Sequence, residues 1–175
     1  MQKIELIHGS CAKQKADVIV NAANRWLAQG GGICGVIFAM AGAPELTDAC
    51  RKHKTPLNDG DAVITPAINI KNAKAIIHAV GPDFGATPAA FDKLELAYYN
   101  SLMVMKENGY HSISFPLISS GIFGGSLPDP AGVSAKSCVK AYEKFTHEYP
   151  EYDLHIILCA FSDGEYESAK AACGM

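Results

Sequence analysis

The sequence predicts a three-layer α/β/α sandwich around a mixed, mainly parallel central sheet. Short apolar runs of strand length alternate along the chain with longer segments of helical spacing, and most of these runs end in Gly, Pro or Asn. Such alternation is typical of parallel sheets with helices on both faces. The runs 61–66 and 75–80 follow each other without a helix between them, so we expect this pair to be antiparallel and the sheet to be mixed.

The first part of the chain predicts two strands joined by a short turn. Residues 3–8 alternate loosely between polar and apolar side chains, which is typical of a strand. Ser10 suits the N-cap of a short helical turn over 11–15. The compact apolar run 17–20 ends at Asn21, as expected of a strand buried on both faces.

The rest of the chain predicts several helices and four further strands. Apolar residues crowd 32–40 and predict a buried helix that Gly42 ends, and Pro44 suits the first turn of another helix reaching about residue 54. Residues 88–107 show the clearest helical periodicity, and Asp163 would cap the last helix. The remaining elements are predicted as strands at 61–66, 75–80, 112–115 and 154–161 and helices at 88–107, 128–148 and 163–173.

The composition is that of an ordinary globular domain. Apolar residues make up 49% of the 175 residues and charged residues 19%, and no linker or repeat divides the chain, so we expect one domain over 1–175. The net charge of −3 without a basic cluster argues against nucleic acid as a partner. No apolar run approaches the ~20 residues of a membrane span and no signal peptide is evident, so we expect a cytoplasmic monomer without a membrane partner.

The six cysteines predict buried free thiols rather than a metal site. None forms a C-x-x-C pair, and most stand among apolar residues. We therefore expect neither a metal nor a cofactor. His78 lies inside a strand pattern and is predicted to be a hydrogen-bonded core histidine rather than a catalytic acid.

Residues 17–42 are the most informative stretch. A strand leads into two asparagines, then into Gly30, Gly31 and Gly32, and then into an apolar helix. Bare backbone N–H groups beside a helix N-terminus bind anions such as phosphate. Gly30, Gly32 and Gly35 also satisfy G-x-G-x-x-G. The glycines follow their strand too late, however, and no acidic strand end lies about 20 residues on, which argues against a hydride-transfer site.

Asn21 and Asn24 bracket two alanines at the end of this strand and allow two interpretations. Asparagine caps turns and tolerates left-handed conformations, so both residues could serve turn chemistry. Beside a glycine cradle, their amides could instead hydrogen-bond sugar hydroxyls. Spacing alone does not choose between these interpretations.

A second glycine loop runs from Ser119 to Gly125, after a strand and before a helix. Its glycines enclose Ile122 and Phe123. An apolar pair of this kind would be exposed without a partner in a plain surface loop, so we favour a loop that covers a ligand.

Four motifs together resemble the macro domain family over nearly the whole chain. They are NAAN at 21–24, GGG at 30–32, VGP at 80–82 and SSGIFG at 119–124. The resemblance implies the same α/β/α sandwich. It also implies binding of ADP-ribose, free or attached to protein, and several family members remove ADP-ribose from proteins.

The resemblance carries roles onto matching residues. Asn24 would contact the distal ribose and is the candidate catalytic residue, with Asn21 supporting its loop, and glycines 30–32 would line that ribose and the diphosphate. Phe161 matches an aromatic that packs on adenine, a strand-end core position being its alternative. The residues whose amides would wrap the phosphates are Ser119, Ser120, Gly121, Ile122, Phe123 and Gly124.

Two departures from the family pattern matter. Ser10 and Cys11 remain expected ligand contacts, but they stand where many members have Asp-Ile, whose Asp accepts from the adenine amino group. An uncharged Ser10 should weaken this contact by about 1 kcal/mol. Cys34 and Phe38 stand where well-studied hydrolases of the family carry an Asp and a His. Cys34 could be a weak polar ligand contact, although a small buried thiol is the favoured interpretation.

These observations lead to two functional hypotheses. Members resembling the viral branch also lack the Asp/His pair and hydrolyse ADP-ribosyl esters with a water positioned by the substrate phosphate and the counterpart of Asn24. We therefore expect a protein that binds ADP-ribose or ADP-ribosylated protein and hydrolyses mono-ADP-ribose from acidic side chains, or deacetylates O-acetyl-ADP-ribose. The alternative is a reader that binds ADP-ribose or a related nucleotide and leaves it intact.

Overall fold

The computed structural model describes residues 1–175 and confirms the predicted order of elements. The strands are β1 (Gln2–His8), β2 (Val18–Ala23), β3 (Ala62–Pro66), β4 (Ala75–Val80), β5 (Ser112–Pro116) and β6 (Leu154–Ala160). The helices are α1 (Gly32–Ala41), α2 (Ala43–Cys50), α3 (Phe91–Glu107), α4 (Pro130–Glu148) and α5 (Asp163–Cys173), with 3₁₀ turns at Cys11–Lys13 and Ile122–Gly124.

The six strands form one sheet in the order β1-β6-β5-β2-β4-β3. Every neighbouring pair is parallel except β3 and β4, which are antiparallel, so the predicted mixed sheet is confirmed. β2 pairs with β4 along its whole length but with β5 only through Val18 and Ile19. The carboxyl halves of β2 and β5 therefore share no ladder hydrogen bonds.

Side-chain alternation along the strands builds two cores. Val18 and Val20 of β2 pack into the core beneath α3, α4 and α5, whereas Ile19 between them packs into the core beneath α1 and α2. All three side chains are fully buried. A strand with apolar residues on both faces is what the run 17–20 predicted, and it gives the three-layer sandwich.

Several element ends differ from the predictions. The N-cap of α5 is Ser162 rather than Asp163: its Oγ accepts from the N–H of Glu165, whose carboxylate accepts from the N–H of Ser162. This reciprocal capping box satisfies two otherwise orphaned donors. α3 and α4 begin later than predicted, α2 ends at Cys50, and β6 ends at Ala160, which leaves Phe161 outside the strand.

All six cysteines are free thiols and five are buried, as the apolar surroundings predicted.

No single helix combines the length and apolar character needed to cross a membrane; only α1 and α2 taken together have them, and they meet at a bend of 105°.

Three polar side chains form a hydrogen-bonded chain inside the sheet. His78 of β4 is fully buried, with Nε2 2.9 Å from Thr65 Oγ1 and Nδ1 3.1 Å from Asn21 Nδ2. Burial, with a smaller contribution from His53, lowers the pKa of His78 to about 3. The imidazole is therefore neutral at physiological pH, accepting from Asn21 and donating to Thr65. His78 is the hydrogen-bonded core histidine that its strand position predicted.

A neutral buried histidine predicts a loss of stability on acidification. A group whose folded pKa lies below its unfolded value stabilises the fold above the unfolded pKa, and this contribution is lost as the pH falls. We expect His78 alone to lower the free energy of unfolding by about 2 kcal/mol between pH 6.5 and about pH 4.5.

Urea unfolding across this pH range measures the effect. His78→Gln should flatten the pH dependence, whereas His147→Gln, at an exposed position near the end of α4, should leave it as in the wild type. An unchanged slope in His78→Gln would contradict the assignment of a neutral buried imidazole.

Candidate functional site

The loops singled out by the sequence leave the same edge of the sheet. The carboxyl ends of the five parallel strands meet there, because β1, β2, β4, β5 and β6 all run in one direction. Ser10 follows β1, Asn24 follows β2, Gly81 follows β4, Ser119 lies after β5 and Phe161 follows β6. Ligands of open α/β sheets bind at this edge, at the point where the strand order reverses.

The two glycine loops leave from β2 and β5, the neighbouring strands whose carboxyl halves are not hydrogen-bonded to each other. In the first loop, the N–H groups of Gly30, Gly31 and Gly32 donate to no acceptor in the protein. Gly32 has φ +56° and opens α1, and a Cβ added at Gly31 would meet nothing within 4 Å. This loop is therefore an open row of donors at a helix N-terminus, which favours negative charge.

The second glycine loop presents a matching row. The N–H groups of Ser119, Ser120 and Gly121 also donate to no protein acceptor. Ser119 has φ +61° and its Oγ donates to the carbonyl of Pro82 at 2.7 Å. A Cβ on Gly81 would collide with Ser119 Oγ and Ile118 Cγ2. The VGP turn and this loop are thus packed tightly together, which fixes the direction of the donors.

The hydroxyl groups of this loop are occupied within the protein. Ser120 Oγ lies 2.7 Å from the carbonyl of Leu117 and 3.3 Å from Glu165 Oε2. Gly124 is buried, and a Cβ there would approach Pro130 to 2.9 Å. The loop therefore offers a ligand its backbone amides rather than its serine side chains.

Asn24 organises its own loop. Its Oδ1 accepts from the N–H groups of Trp26 and Ala28, both at 3.0 Å, and its Nδ2 donates to the carbonyl of Ala28 at 2.9 Å. The turn-forming interpretation is therefore correct for this residue. An amide nitrogen carries two protons, so one N–H of Asn24 stays available to a ligand.

Asn21 and Cys34 lie beneath the loop rather than on its surface. Asn21 is 1% exposed, and its Nδ2 contacts His78 and, at 3.7 Å, Cys34 Sγ. The Cys34 thiol also donates to the carbonyl of Ala28 at 3.7 Å. Both residues support the Asn24 loop from below, and Cys34 is the small buried thiol that the sequence favoured. Asn21 Oδ1 is buried without a hydrogen-bond partner.

The region after β1 offers less than the resemblance implied. Ser10 occupies the N-cap position of the 3₁₀ turn, as predicted, but its hydroxyl makes no capping hydrogen bond and stays available. The Cys11 thiol is buried and donates to the carbonyl of Val20 at 3.6 Å, so only the backbone of Cys11 is left for a ligand. Burial, reinforced by Cys159, holds the pKa of Cys11 well above its usual range.

Exposed apolar side chains border the same edge. Ile122 is 95% exposed and Phe161 is 76% exposed, so the alternative of a core position for Phe161 is wrong. Phe123 is half-buried, and its carbonyl accepts from the N–H of Phe84 at 2.8 Å. An unpacked aromatic at a strand end suits stacking on a flat ligand.

A cleft of about 350 Å³ opens beside Asn24. Most of its lining was not predicted from the sequence, because these residues belong to no glycine motif and come from four separate loops. Trp26 carried the strongest overlooked signal, as the only tryptophan of the chain and two residues from Asn24. The lining consists of Asn24, Arg25, Trp26, Asp59, Val80, Gly81, Asp83, Ala86, Thr87 and Phe123.

The chemistry available at this edge is orientation by neutral donors. Phe38 is fully buried and Cys34 nearly so, and neither can act as a carboxylate base or its imidazole partner. Arg25 in the cleft lining is paired with Asp59 through Nε and Oδ1 at 3.1 Å, and this carboxylate raises the pKa of Arg25. The site can thus hold a diphosphate between two rows of amides and a sugar beside Asn24.

Comparison with known proteins agrees with this geometry. The family model described as Macro domain matches residues 20–133. The chain is 40% identical over 153 residues to the O-acetyl-ADP-ribose deacetylase of Citrobacter koseri, covering 85% of this chain and 84% of that protein. It is 41% identical over 155 residues to the O-acetyl-ADP-ribose deacetylase of Escherichia coli K12, with 85% and 84% covered.

Solved structures give the same answer. The Oceanobacillus iheyensis macrodomain with ADP superposes with a TM-score of 0.88 at 30% identity, covering 99% of this chain and 90% of that chain. The Trypanosoma brucei macrodomain in complex with ADP-ribose gives a TM-score of 0.81 at 28% identity, covering 96% and 68%. A matching family model, relatives of this identity and a shared fold agree with the paired glycine loops, and the chain belongs to the macro domain family.

Proposed function

We propose that this protein binds ADP-ribose and hydrolyses carboxylic esters of its distal ribose. The substrates are O-acetyl-ADP-ribose and proteins carrying mono-ADP-ribose on acidic side chains. One observation carries the proposal: two rows of unpaired amides flank the gap between β2 and β5, in a chain 40% identical to an O-acetyl-ADP-ribose deacetylase over 85% of its length. Both substrates are esters of the same sugar, so one site serves both.

The amides account for binding without formal positive charge. The diphosphate lies between glycines 30–32 and the Ser119–Gly121 segment, where six N–H groups have no protein acceptor. The N-terminus of α1 adds its partial positive charge. The adenine packs on Phe161, with the Ser10 hydroxyl as the uncharged acceptor at the amino group.

Hydrolysis requires orientation rather than a titrating side chain. The reaction adds one water molecule across the ester and releases ADP-ribose and a carboxylic acid. Asn24 is the positioned donor: its Oδ1 is saturated by Trp26 and Ala28, so the remaining Nδ2–H is what it can offer to the ribose or the water. Its loop is held in place before substrate arrives, and such preorganised donors supply much of the rate in oxyanion-type catalysis.

A reader of ADP-ribose is the competing function. Cys34 and Phe38 favour it, because they replace a carboxylate and an imidazole with groups that cannot act as base and acid. The identity to deacetylases and the free donor of Asn24 favour the hydrolase. Both functions use the same amide rows, so binding alone does not separate them.

One prediction tests the binding cradle. Calorimetry should show one ADP-ribose bound per chain, and Gly31→Glu should weaken binding more than tenfold by placing a carboxylate among the phosphate donors. Gly31 is a sharper test than Gly32, because Gly31 has φ −88° and open space for a Cβ, whereas Gly32 has a positive φ that strains any other residue.

The matched control is Gly164→Glu in the first turn of α5, another glycine with open space around its Cβ. It should bind ADP-ribose as the wild type does. A Kd of about 1 mM corresponds to only ~4 kcal/mol of binding free energy. Absence of heat at about 1 mM ADP-ribose would therefore contradict both the hydrolase and the reader hypotheses. Unchanged affinity in Gly31→Glu would refute the loop assignment.

Another prediction tests Asn24 as the hydrogen-bond donor. Asn24→Asp keeps an acceptor for the N–H groups of Trp26 and Ala28 but removes both Nδ2 N–H groups, the free one and the one that donates to the carbonyl of Ala28. We expect kcat for O-acetyl-ADP-ribose to fall roughly 100-fold or more, as when an oxyanion donor is removed. Release of acetate and of label from a protein modified on Glu or Asp are the measurements.

Asn108→Asp, beyond the end of α3, serves as control and should retain full activity. If Asn24→Asp hydrolyses both substrates at the wild-type rate, Asn24 is not the catalytic determinant. If the wild type binds ADP-ribose and releases neither product, the protein is a reader.

A further inference from the structure

The geometry points to the cleft beside Asn24 as an acyl-group subsite in which Trp26 selects uncharged, apolar acyl chains longer than acetyl. This inference deepens the proposed ester hydrolysis and rests on it. The substrate class it names is O-acyl-ADP-ribose with acyl groups of about four carbons or more.

The position of the cleft suits the group that leaves the ribose. Asn24 and Phe123 belong both to the proposed ADP-ribose cradle and to the cleft lining. The rest of the lining, including Trp26, Asp83 and Thr87, lies outside the residues assigned to ADP-ribose. A group esterified to the ribose at Asn24 therefore continues from the cradle into this cleft.

Each polar side chain of the cleft makes at least one hydrogen bond within the protein. Arg25 pairs with Asp59 at 3.1 Å, Asp83 Oδ1 accepts from the N–H of Gly85 at 2.9 Å, and Thr87 Oγ1 donates to the carbonyl of Asp83 at 3.0 Å. Beside these groups the lining offers apolar surfaces on which an acyl chain can pack. These are contributed by Trp26, Val80, Ala86 and Phe123.

Trp26 is the largest of these surfaces and the least occupied. It is 64% exposed, although an indole usually buries most of its area. Its backbone N–H is fixed on Asn24 Oδ1 at 3.0 Å, so the indole is attached directly to the turn that holds the catalytic amide. An acyl chain that packs on this indole is therefore held at a fixed position relative to Asn24.

The volume exceeds what acetyl needs. An acetyl group is about the size of two water molecules at roughly 30 Å³ each, whereas the cleft measures about 350 Å³. Its walls are fixed without ligand: the N–H of Leu57 donates to the carbonyl of Arg25, and the N–H of Phe84 to that of Phe123, both at 2.8 Å. A preformed space with apolar surfaces on its walls rewards each methylene that it buries.

Charge adds a second selection. Asp59 and Asp83 bring two carboxylates to the lining, and Arg25 neutralises one of them. An acyl chain ending in a carboxylate would lie beside the remaining negative charge. A succinyl group should therefore be rejected relative to a butyryl group of the same length.

The test uses ADP-ribose analogues in which an amide replaces the ester, so that binding is measured without hydrolysis. Calorimetry with the acetyl, propionyl and butyryl analogues should show affinity rising about fourfold for each buried methylene. The succinyl analogue should bind at least tenfold more weakly than the butyryl one. In Trp26→Ala, the three uncharged analogues should bind with nearly equal affinity, while ADP-ribose itself binds as it does to the wild type.

Ile68→Ala is the matched control, an exposed apolar residue after β3, and it should keep the wild-type chain-length dependence. Hydrolysis of the corresponding esters then separates the two ideas. If affinity rises with acyl chain length but no ester is hydrolysed, the acyl subsite is supported and the proposed hydrolase activity is contradicted.

Three results would overturn the inference. Flat affinities across chain lengths in the wild type would show that the cleft does not receive the acyl chain. Equal loss for all analogues and for ADP-ribose in Trp26→Ala would make Trp26 a general structural residue. An effect of Trp26→Ala confined to release from ADP-ribosylated protein would assign the cleft to a protein partner.

Discussion

Backbone hydrogen bonds left unmade at one edge of the sheet are the constraint around which this protein is arranged. Six N–H groups of the two glycine loops donate to no protein acceptor. Unpaired N–H groups pair readily with neighbouring carbonyl oxygens, so the structure has to keep such acceptors away from them. In the second loop, the Ser119–Pro82 hydrogen bond and the close approach of Gly81 fix the backbone. In the first loop, Gly30 packs against α1 so closely that a Cβ on Gly35 would come 2.9 Å from the Gly30 carbonyl oxygen.

The two asparagines of the NAAN motif stabilise the first loop in different ways. Asn21 faces inward and joins the polar chain through His78 to Thr65, which couples the end of β2 to β4 and β3. Asn24 faces its own loop and closes the turn to Ala28. The side chain assigned to chemistry is therefore also the one that sets the loop geometry, and the buried chain beneath it keeps β2 in place.

Affinity and selectivity come from different parts of the site. In the proposed function, the amide rows recognise a diphosphate through the main chain, which a reader and a hydrolase would share. In the inferred acyl subsite, the cleft recognises what is attached to the ribose; Arg25 pairs with Asp59 there, and Asp83 accepts from the backbone N–H of Gly85. If the cleft is the acyl subsite, the substrate range of this protein depends on Trp26, which lies outside the glycine loops.

Much of this could be predicted from the sequence. The alternation of apolar runs determined the layers, the mixed sheet and the order of elements, because side-chain periodicity reports burial directly. The glycine motifs predicted a candidate site at the carboxyl edge, since Gly31, Gly32 and Gly121 follow strands and precede helical turns. Helix ends were less predictable: Ser162 and Asp163 are both good caps, and only the reciprocal hydrogen bonds with Glu165 decide between them.

Tertiary structure alone decided the roles of individual side chains and the shape of the cleft. Spacing could not say whether Asn24 serves its turn or a sugar, because that depends on which of its amide atoms the loop consumes. Spacing also left open whether Phe161 is a core residue or an exposed one, because its position depends on how neighbouring elements pack. The cleft is lined by residues from loops far apart in the chain, among them Trp26, Asp59, Asp83 and Phe123. Such a surface exists only where the four loops meet in the fold, so no local sequence pattern predicts it.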